Sequence, residues 1–381
     1  MNNQTSCRVC HSPFFSEPLL LLKDMPCAAQ NFPDTTTIAS DHGQDLELSQ
    51  CQGCGLIQLG NPPVEYHRDV IRASAFSEEM QGFRRDQFHQ FVTDYGLLNE
   101  KVIEIGCGKG EYLSLLVESG TDAFGIEHLA ESVEFCQASN LKVVEGYLPE
   151  TNTPLEAGPF KAFFIMNFFE HLPDPNAMLK AMTANLTEDG IGLIEVPNFD
   201  MILQQNLFSE FINDHLFYFT EDTLRSTLNY NGFEIIECKS IWHDYILSTV
   251  VRRKQPKDLT YLTTFQNKIG NEIHQFLDEQ QGKKVAIWGA GHQALAVISL
   301  AKISTRIEVV LDSAPFKQNK FTPATHIPIV SPDELDKGEL EVVIIMAASY
   351  SDEVHRTIKE RWGTGVSVAI LRNYGLEVIG D

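Results

Sequence analysis

The chain has 381 residues, with 29 Lys plus Arg against 52 Asp plus Glu and a net charge of -23. Such a surplus of carboxylates repels nucleic acid and anionic lipid surfaces, so polyanion binding is excluded as a main role and any anionic substrate must meet a local cationic site. No apolar run reaches the roughly 20 residues a membrane span requires, and the first residues, MNNQTSCRVC, lack a basic-then-apolar leader. A cytoplasmic protein of two or three domains is expected, whose eight cysteines favour metal binding over disulfides.

The N-terminal segment carries two knuckles of equal spacing, Cys7-x-x-Cys10 and Cys51-x-x-Cys54. Two thiolates so spaced chelate one face of a tetrahedral ion, and a second pair completes a four-cysteine set suited to Zn2+. Four sulfurs leave no position for water, so the ion is expected to be structural. Gly53 and Gly55 supply turn freedom, and a short strand follows over Gly55–Leu59. Cys27 stands alone between Pro26 and Ala28, as a small buried residue or loop thiol.

From Val64 the pattern becomes helical, with Phe83, Phe88, Phe91 and Val92 on one face. Arg68, Arg72, Arg84 and Arg85 gather here within an acidic chain. A solvated face accounts for such charges; the sharper reading is that Arg72 or a neighbour meets an anionic substrate.

Residues Lys101 to Leu116 read as a buried strand, a turn with glycines at Gly106, Gly108 and Gly110, and the start of a helix. Glycines allow backbone angles closed to other residues and let a ligand approach without meeting a Cβ. A dinucleotide fold places its glycines as G-x-G-x-x-G; here the pattern is E-x-G-x-G-x-G, with Glu104 inside the strand. This resembles motif I of class I S-adenosylmethionine (SAM) methyltransferases. The resemblance makes chemical sense of Glu104, since a carboxylate repels phosphates but suits a ligand bearing a sulfonium and an ammonium. A second strand from Asp122 ends at Glu127, about 20 residues on, where a carboxylate accepts from ribose hydroxyls. A purely structural turn and a nicotinamide site are the competing readings.

Strand and helix signals then alternate: helix Ala130–Gln137, strand Lys142–Glu145, strand Ala162–Met166, helix Asn176–Leu186 and strand Gly190–Val196. Alternation of this kind predicts a parallel sheet that binds ligands at the carboxyl ends of its strands. Tyr147 should lie near the adenine and Asn167 should face the methionine part. His171, just past a strand end, points to the active-site mouth or merely caps a helix. In Phe211-Ile-Asn-Asp-His215-Leu-Phe-Tyr-Phe219 a carboxylate and an imidazole sit among aromatics. An acid/base pair of Asp214 and His215 is one reading, and a satisfied core histidine is the other.

After a linker and helix, Lys284 to Gly291 repeats the strand-into-glycine pattern, with Asp312 ending the next strand. Only two turn glycines are present there, so a second cofactor is not implied.

Taken together, these residues make the chain resemble the three-domain sugar C-methyltransferase family that acts on nucleotide-linked deoxysugars. The likeness rests on the four-cysteine segment, the E-x-G-x-G-x-G turn, Phe169-Glu170-His171, and the run Lys317 to Ile329, which is similar to the family's K-Q-G-R-[YF]-T-P-G-T-H-I-P-I. It implies an α/β protein with a zinc module over 1–66, a Rossmann-like SAM-dependent core over 67–240 and a C-terminal Rossmann-like substrate-binding domain over 241–381. It further implies His215, oriented by Asp214, as base, His171 as a substrate ligand, and Arg72, His292, Lys317 and His326 as further substrate contacts. Departures lie near the chemistry. The family's Y-x-E-H is Ile212-Asn-Asp214-His215 here, Arg72 replaces a tyrosine, and Gly291-His292-Gln293 lacks a customary lysine. An O- or N-methyltransferase of another small intermediate, and a silent SAM-binding scaffold, stay open as alternatives.

Overall fold

A computed structural model describes residues 4–30, 32–68, 77–150 and 154–380. The chain forms two compact units that divide between Gln255 and Pro256.

The first unit begins with an antiparallel meander of β1 (Leu20–Pro26), β2 (Gly43–Gln50) and β3 (Ile57–Leu59). Helix α1 (Glu78–Asp94) follows, with Ser77 accepting from the Met80 amide and Glu78 and Glu79 facing the positive end of its dipole. Its buried face carries Met80, Phe88, Phe91 and Val92. Arg84 lies on that same face and is fully buried, so the solvated face expected for these arginines fails at this one.

Next come β4 (Lys101–Ile105), α2 (Glu111–Glu118), β5 (Asp122–Glu127), α3 (Ala130–Ala138), β6 (Lys142–Glu145), β7 (Phe160–Met166), α4 (Pro175–Ala184) and β8 (Leu186–Pro197). After α5 (Phe199–Gln204), β9 (Phe217–Tyr218) and α6 (Glu221–Tyr230), a hairpin of β10 (Phe233–Ile241) and β11 (Ile246–Arg253) closes the unit. Seven strands pair in the order β10-β11-β8-β7-β4-β5-β6, parallel from β8 to β6. Strands buried on both faces need near-continuous apolar sequence, which β7 supplies with Phe160, Phe163, Phe164, Ile165 and Met166. Chain order reverses beside β4, and the crevice at the carboxyl ends of β4 and β7 is where such sheets bind ligands.

Two expected boundaries move. A division at 240/241 would cut the β10–β11 hairpin, whose second strand pairs with β8 from Ile246 to Arg252, so the core runs on to Gln255. The N-terminal segment is also no separate body, because β9 pairs with β3 to complete a four-stranded sheet.

The second unit holds α7 (Thr260–Glu279), β12 (Val285–Trp288), α8 (His292–Leu300), β13 (Val309–Leu311), β14 (Lys320–Phe321), β15 (Pro328–Val330), β16 (Val342–Ile345), α9 (Ser351–Trp362), β17 (Ser367–Leu371) and β18 (Leu376–Ile379). Its sheet runs β14-β15-β13-β12-β16-β17-β18 around its own apolar core. Strand β12 is parallel to both β13 and β16, so this unit too is Rossmann-like. Among the described residues no helix is long and apolar enough to cross a membrane.

Candidate active site

The turn after β4 takes left-handed backbone angles at Gly106, Gly108 and Gly110 (φ 65°, 57° and 84°). At Gly110 a Cβ would also stand 2.4 Å from Leu141 Cδ1. These angles turn the Gly108 amide onto the Glu127 carboxylate, Oε2 accepting at 2.8 Å. The other oxygen accepts from the amides of His128 and Leu129 at 2.8 and 3.1 Å. Three backbone donors thus fix the orientation of Glu127 at the end of β5, while Glu104 is wholly buried within β4.

Gly106, Glu127, Gly146, Tyr147 and Phe168 line one narrow cleft. The cleft therefore brings together Gly106, Glu127 and Tyr147, which the sequence pattern places around a nucleoside. Arg68 also lines it, with its guanidinium 4.5 Å above the Tyr147 ring and ion-paired to Glu150. Asn167 follows directly on β7 at a φ of 50°, its amide donating to the Glu195 carbonyl at 2.9 Å.

One turn further, Phe169–His171 forms a short 3-10 segment, and Glu170 and His171 are both buried. His171 Nδ1 lies 2.8 Å from the Asp214 carbonyl oxygen, which can only accept, so Nδ1 carries the proton and Nε2 the lone pair. The rings of His171 and His215 meet edge to face with centroids 4.8 Å apart. Burial drives the His171 pKa down to about 4, only partly opposed by the bond to Asp214. Burial, and then His171 itself, hold His215 well below its ordinary value. Both imidazoles are neutral at pH 7.

The expected Asp214–His215 pair is not what forms. The Asp214 carboxylate accepts from the Tyr66 hydroxyl, 2.9 Å from each oxygen, and from the Ala29 amide at 3.0 Å. It is the backbone of Asp214, not its side chain, that touches a histidine, and that histidine is His171. Burial raises the Asp214 pKa, with Tyr66 and Ala29 opposing it. Tyr66 is pushed up to about 12 by burial and by Asp214. Nothing local marks Tyr66 in the sequence, because its partner is 148 residues away.

Cys7, Cys10, Cys51 and Cys54 do converge, with all four sulfurs within 4.8 Å of one another. Cys10 and Cys51 lie 3.3 Å apart, and Cys7 and Cys54 3.7 Å. The amides of Val9 and Cys10 point at Cys7 Sγ, and those of Gly53 and Cys54 at Cys51 Sγ. Gln58 adds a side-chain donor to Cys7 at 3.0 Å. Donors aimed at sulfur suit thiolates, and the spacing suits a tetrahedral ion with bonds of about 2.3 Å. Cys27 lies apart from this set, donating to the His42 carbonyl at 2.9 Å.

Of the other expected substrate contacts, Arg72 lies outside the described residues. His292 is exposed at the start of α8, and His326 is exposed at a φ of 55°. Lys317 Nζ is engaged by Asp312 at 2.8 Å. Asp312 also accepts from the Ala290 amide of the second glycine turn, as Glu127 does from Gly108.

Comparison with known proteins gives two family matches: a methyltransferase domain over residues 76–238 and a C-methyltransferase C-terminal domain over residues 251–370. The C-methyltransferase NovU of Streptomyces niveus is 21% identical over 389 residues, spanning 93% of this chain and 92% of its own length. The ubiquinone biosynthesis O-methyltransferase of Psychrobacter arcticus is 29% identical over 120 residues, 29% of this chain and 46% of that protein. Among solved structures, the SAH-bound magnesium protoporphyrin IX methyltransferase of Synechocystis PCC 6803 aligns at a TM-score of 0.39 and 15% identity, covering 49% of this chain and 89% of that one.

Proposed function

We propose that this chain, which belongs to the SAM-dependent methyltransferases that join a methyltransferase domain to a C-methyltransferase C-terminal domain, methylates a carbon atom of a nucleotide-linked sugar with His215 as the base. The likeness of the Lys317 to Ile329 run to the sugar C-methyltransferase family supports the substrate class.

When bound, SAM supplies an electrophilic methyl group. The Gly106–Gly110 turn and Glu127 would hold it, with Glu127 accepting from the ribose hydroxyls, Tyr147 beside the adenine, and Asn167 and Glu104 toward the methionine end. Making a carbon nucleophilic requires removing a proton from it, most easily beside a carbonyl, so a neutral base must stand at the mouth of the site. His215 meets that need. It is half-buried, whereas His171 beside it is buried. It takes the acceptor's proton and leaves the carbon–hydrogen electron pair on the acceptor carbon as the nucleophile; as that pair forms the new carbon–carbon bond, the methyl–sulfur bond would break and its electron pair would leave with S-adenosylhomocysteine. His171, locked by the Asp214 carbonyl, holds the ring of His215 in place, and its Nε2 lone pair can accept from a hydroxyl of the acceptor. Much of the rate then comes from holding donor and acceptor in line.

The observation that carries this reading is the edge-to-face packing of His215 on His171 just past the carboxyl end of β7. Mass spectrometry with isotopically labelled SAM and a panel of nucleotide ketosugars tests it. A gain of one methylene on a panel member, lost in His215→Ala with SAM binding intact, is the expected result. Transfer to oxygen or nitrogen would move the acceptor class, and an unchanged rate in His215→Ala would remove that residue from the mechanism.

The proposal includes Zn2+ in the Cys7, Cys10, Cys51 and Cys54 set, with a structural role and in a reducing, cytoplasmic setting that keeps the thiols free. Each full-length chain should release its zinc to a thiol-reactive mercurial in step with the titration of four thiols. A chain that contains no zinc after expression in zinc-supplemented medium would refute it.

A further inference from the structure

We propose that Glu170, His171 and His215 form a second metal site, which takes a divalent transition cation such as Ni2+ or Zn2+ and, when filled, withholds His215 from proton transfer. One ligand atom from each residue lies within 4.8 Å of the other two. Glu170 Oε1 is 3.8 Å from His171 Nε2.

The tautomer matters most. The Asp214 carbonyl holds the Nδ1 proton of His171, leaving the Nε2 lone pair on the side of Glu170. A backbone carbonyl behind a histidine is how metal-ligating imidazoles are commonly oriented. The backbone ties the group together from both sides of His215, because the Leu216 amide donates to the Glu170 carbonyl at 2.9 Å while His171 holds the carbonyl of Asp214. His215 is thus clamped between two tethers to the segment that carries the other two ligands.

Ligand atoms on a tetrahedral ion with bonds of about 2.0–2.2 Å stand roughly 3.4 Å apart. Side-chain rotation of no more than about 1.5 Å closes the present spacing onto such an ion. Two imidazoles and one carboxylate suit nickel, zinc or iron better than calcium or magnesium, which prefer oxygen. Three ligands leave open positions, in contrast to the closed cysteine set. Occupation takes the lone pair of His215. That consequence rests on His215 being the base, as proposed above, whereas occupation itself does not.

The test uses the full chain with zinc already in its cysteine set. Ni2+ is titrated by calorimetry, and bound metal is counted by equilibrium dialysis with elemental analysis. One nickel per chain above the zinc is expected, and His171→Asn and Glu170→Gln should each weaken it roughly tenfold or more. Unchanged zinc content and SAM binding in both variants would show that they fold. Co2+ gives a second readout, since ions at this site should show weak d–d bands without the thiolate charge-transfer absorption of a cysteine site. Absence of any nickel beyond the cysteine set, or equal nickel binding by wild type and both variants, overturns the site. Nickel bound with methyl transfer undiminished overturns the link to His215 and leaves the site standing.

Discussion

Tyr66 donates its hydroxyl to the carboxylate of Asp214, 2.9 Å from each oxygen, and so pins the segment before β9 to the end of the N-terminal sheet region. Asp214 is almost wholly buried, so losing its hydroxyl partner leaves the carboxylate to backbone donors, among them the Ala29 amide. Hydrogen bonds to charged groups contribute about 1.5–3 kcal/mol. Tyr66→Phe should therefore lower unfolding stability by about that amount. A double-mutant cycle with Asp214→Asn should return a coupling energy of the same sign, and a coupling near zero in urea denaturation would count against the bond. Because the Asp214 backbone also holds His171, the single variant should slow methyl transfer more than it weakens SAM binding.

The glycine turn yields an ordered pair of substitutions. Gly108→Ala adds a methyl near only Glu111 Oε2, at 3.4 Å, so its main cost is the left-handed backbone angle, about 1–2 kcal/mol. Gly110→Ala incurs that cost and in addition meets Leu141 Cδ1 at 2.4 Å and Cys136 Sγ at 3.2 Å. It should be the more destabilising of the two by about 1–3 kcal/mol, the usual penalty for overpacking. SAM calorimetry should rank them otherwise, since the Gly108 amide orients Glu127 directly. Equal stabilities for the two variants would contradict the packing around Gly110.

Those two sites differ in how much the sequence disclosed. The turn, Glu127, the cysteine knuckles and the alternation of strands and helices that makes the core a parallel sheet follow from local signals: apolar runs, glycine spacing and carboxylates at strand ends. The Asp214 side chain does not, because two opposed directions were open to it and the choice depends on where Ala29 and Tyr66 come to rest after the sheets assemble. Burial of Arg84 left a readable trace. It stands four residues from both Met80 and Phe88, on the apolar stripe of α1, where a charge signals a buried partner. What the stripe does not encode is the identity of that partner, Glu195, 111 residues later on β8. The β10–β11 hairpin was hidden for a similar reason, since antiparallel strands added to a parallel sheet read locally like the start of a new domain.

Arg84 and Glu195 form an ion pair with no exposure of either side chain. Gln87 and Ser248 add donors to Glu195, at 2.5 and 2.8 Å, while Nε and Nη2 of Arg84 have no partner among the described residues. Removing one charge from such a pair strands the other, so Arg84→Met should cost about 3–5 kcal/mol. The double replacement Arg84→Met with Glu195→Gln should recover much of that loss, because burying two charges is itself expensive. Thermal denaturation of the three variants decides the matter, and a double variant no more stable than Arg84→Met would show that the pair is a net source of stability.

Asp312, the carboxylate beside Lys317, contributes a pH dependence to the second unit. Burial raises its pKa, but the Lys317 ammonium and the amides of Ala314 and Ala290 outweigh that and hold it below the ordinary carboxylate value. A pKa depressed by folding means that the unfolded chain takes up the proton first as the pH falls. The stabilisation is therefore fully present above the unfolded value, about 4, and is lost as the pH drops through the lower folded value. Asp312→Asn should destabilise this unit at pH 7, and the gap between wild type and variant should narrow below about pH 4. Trp288 and Trp362, packed edge to face in the same unit with centroids 6.1 Å apart, report its unfolding by fluorescence. Lys317→Met should reproduce part of the loss at pH 7, since it removes the charge that opposes burial. A gap that stays constant from pH 7 to pH 3 would mean that Asp312 folds with an unshifted carboxyl and that the amide bonds to Ala290 and Ala314 act without regard to its charge.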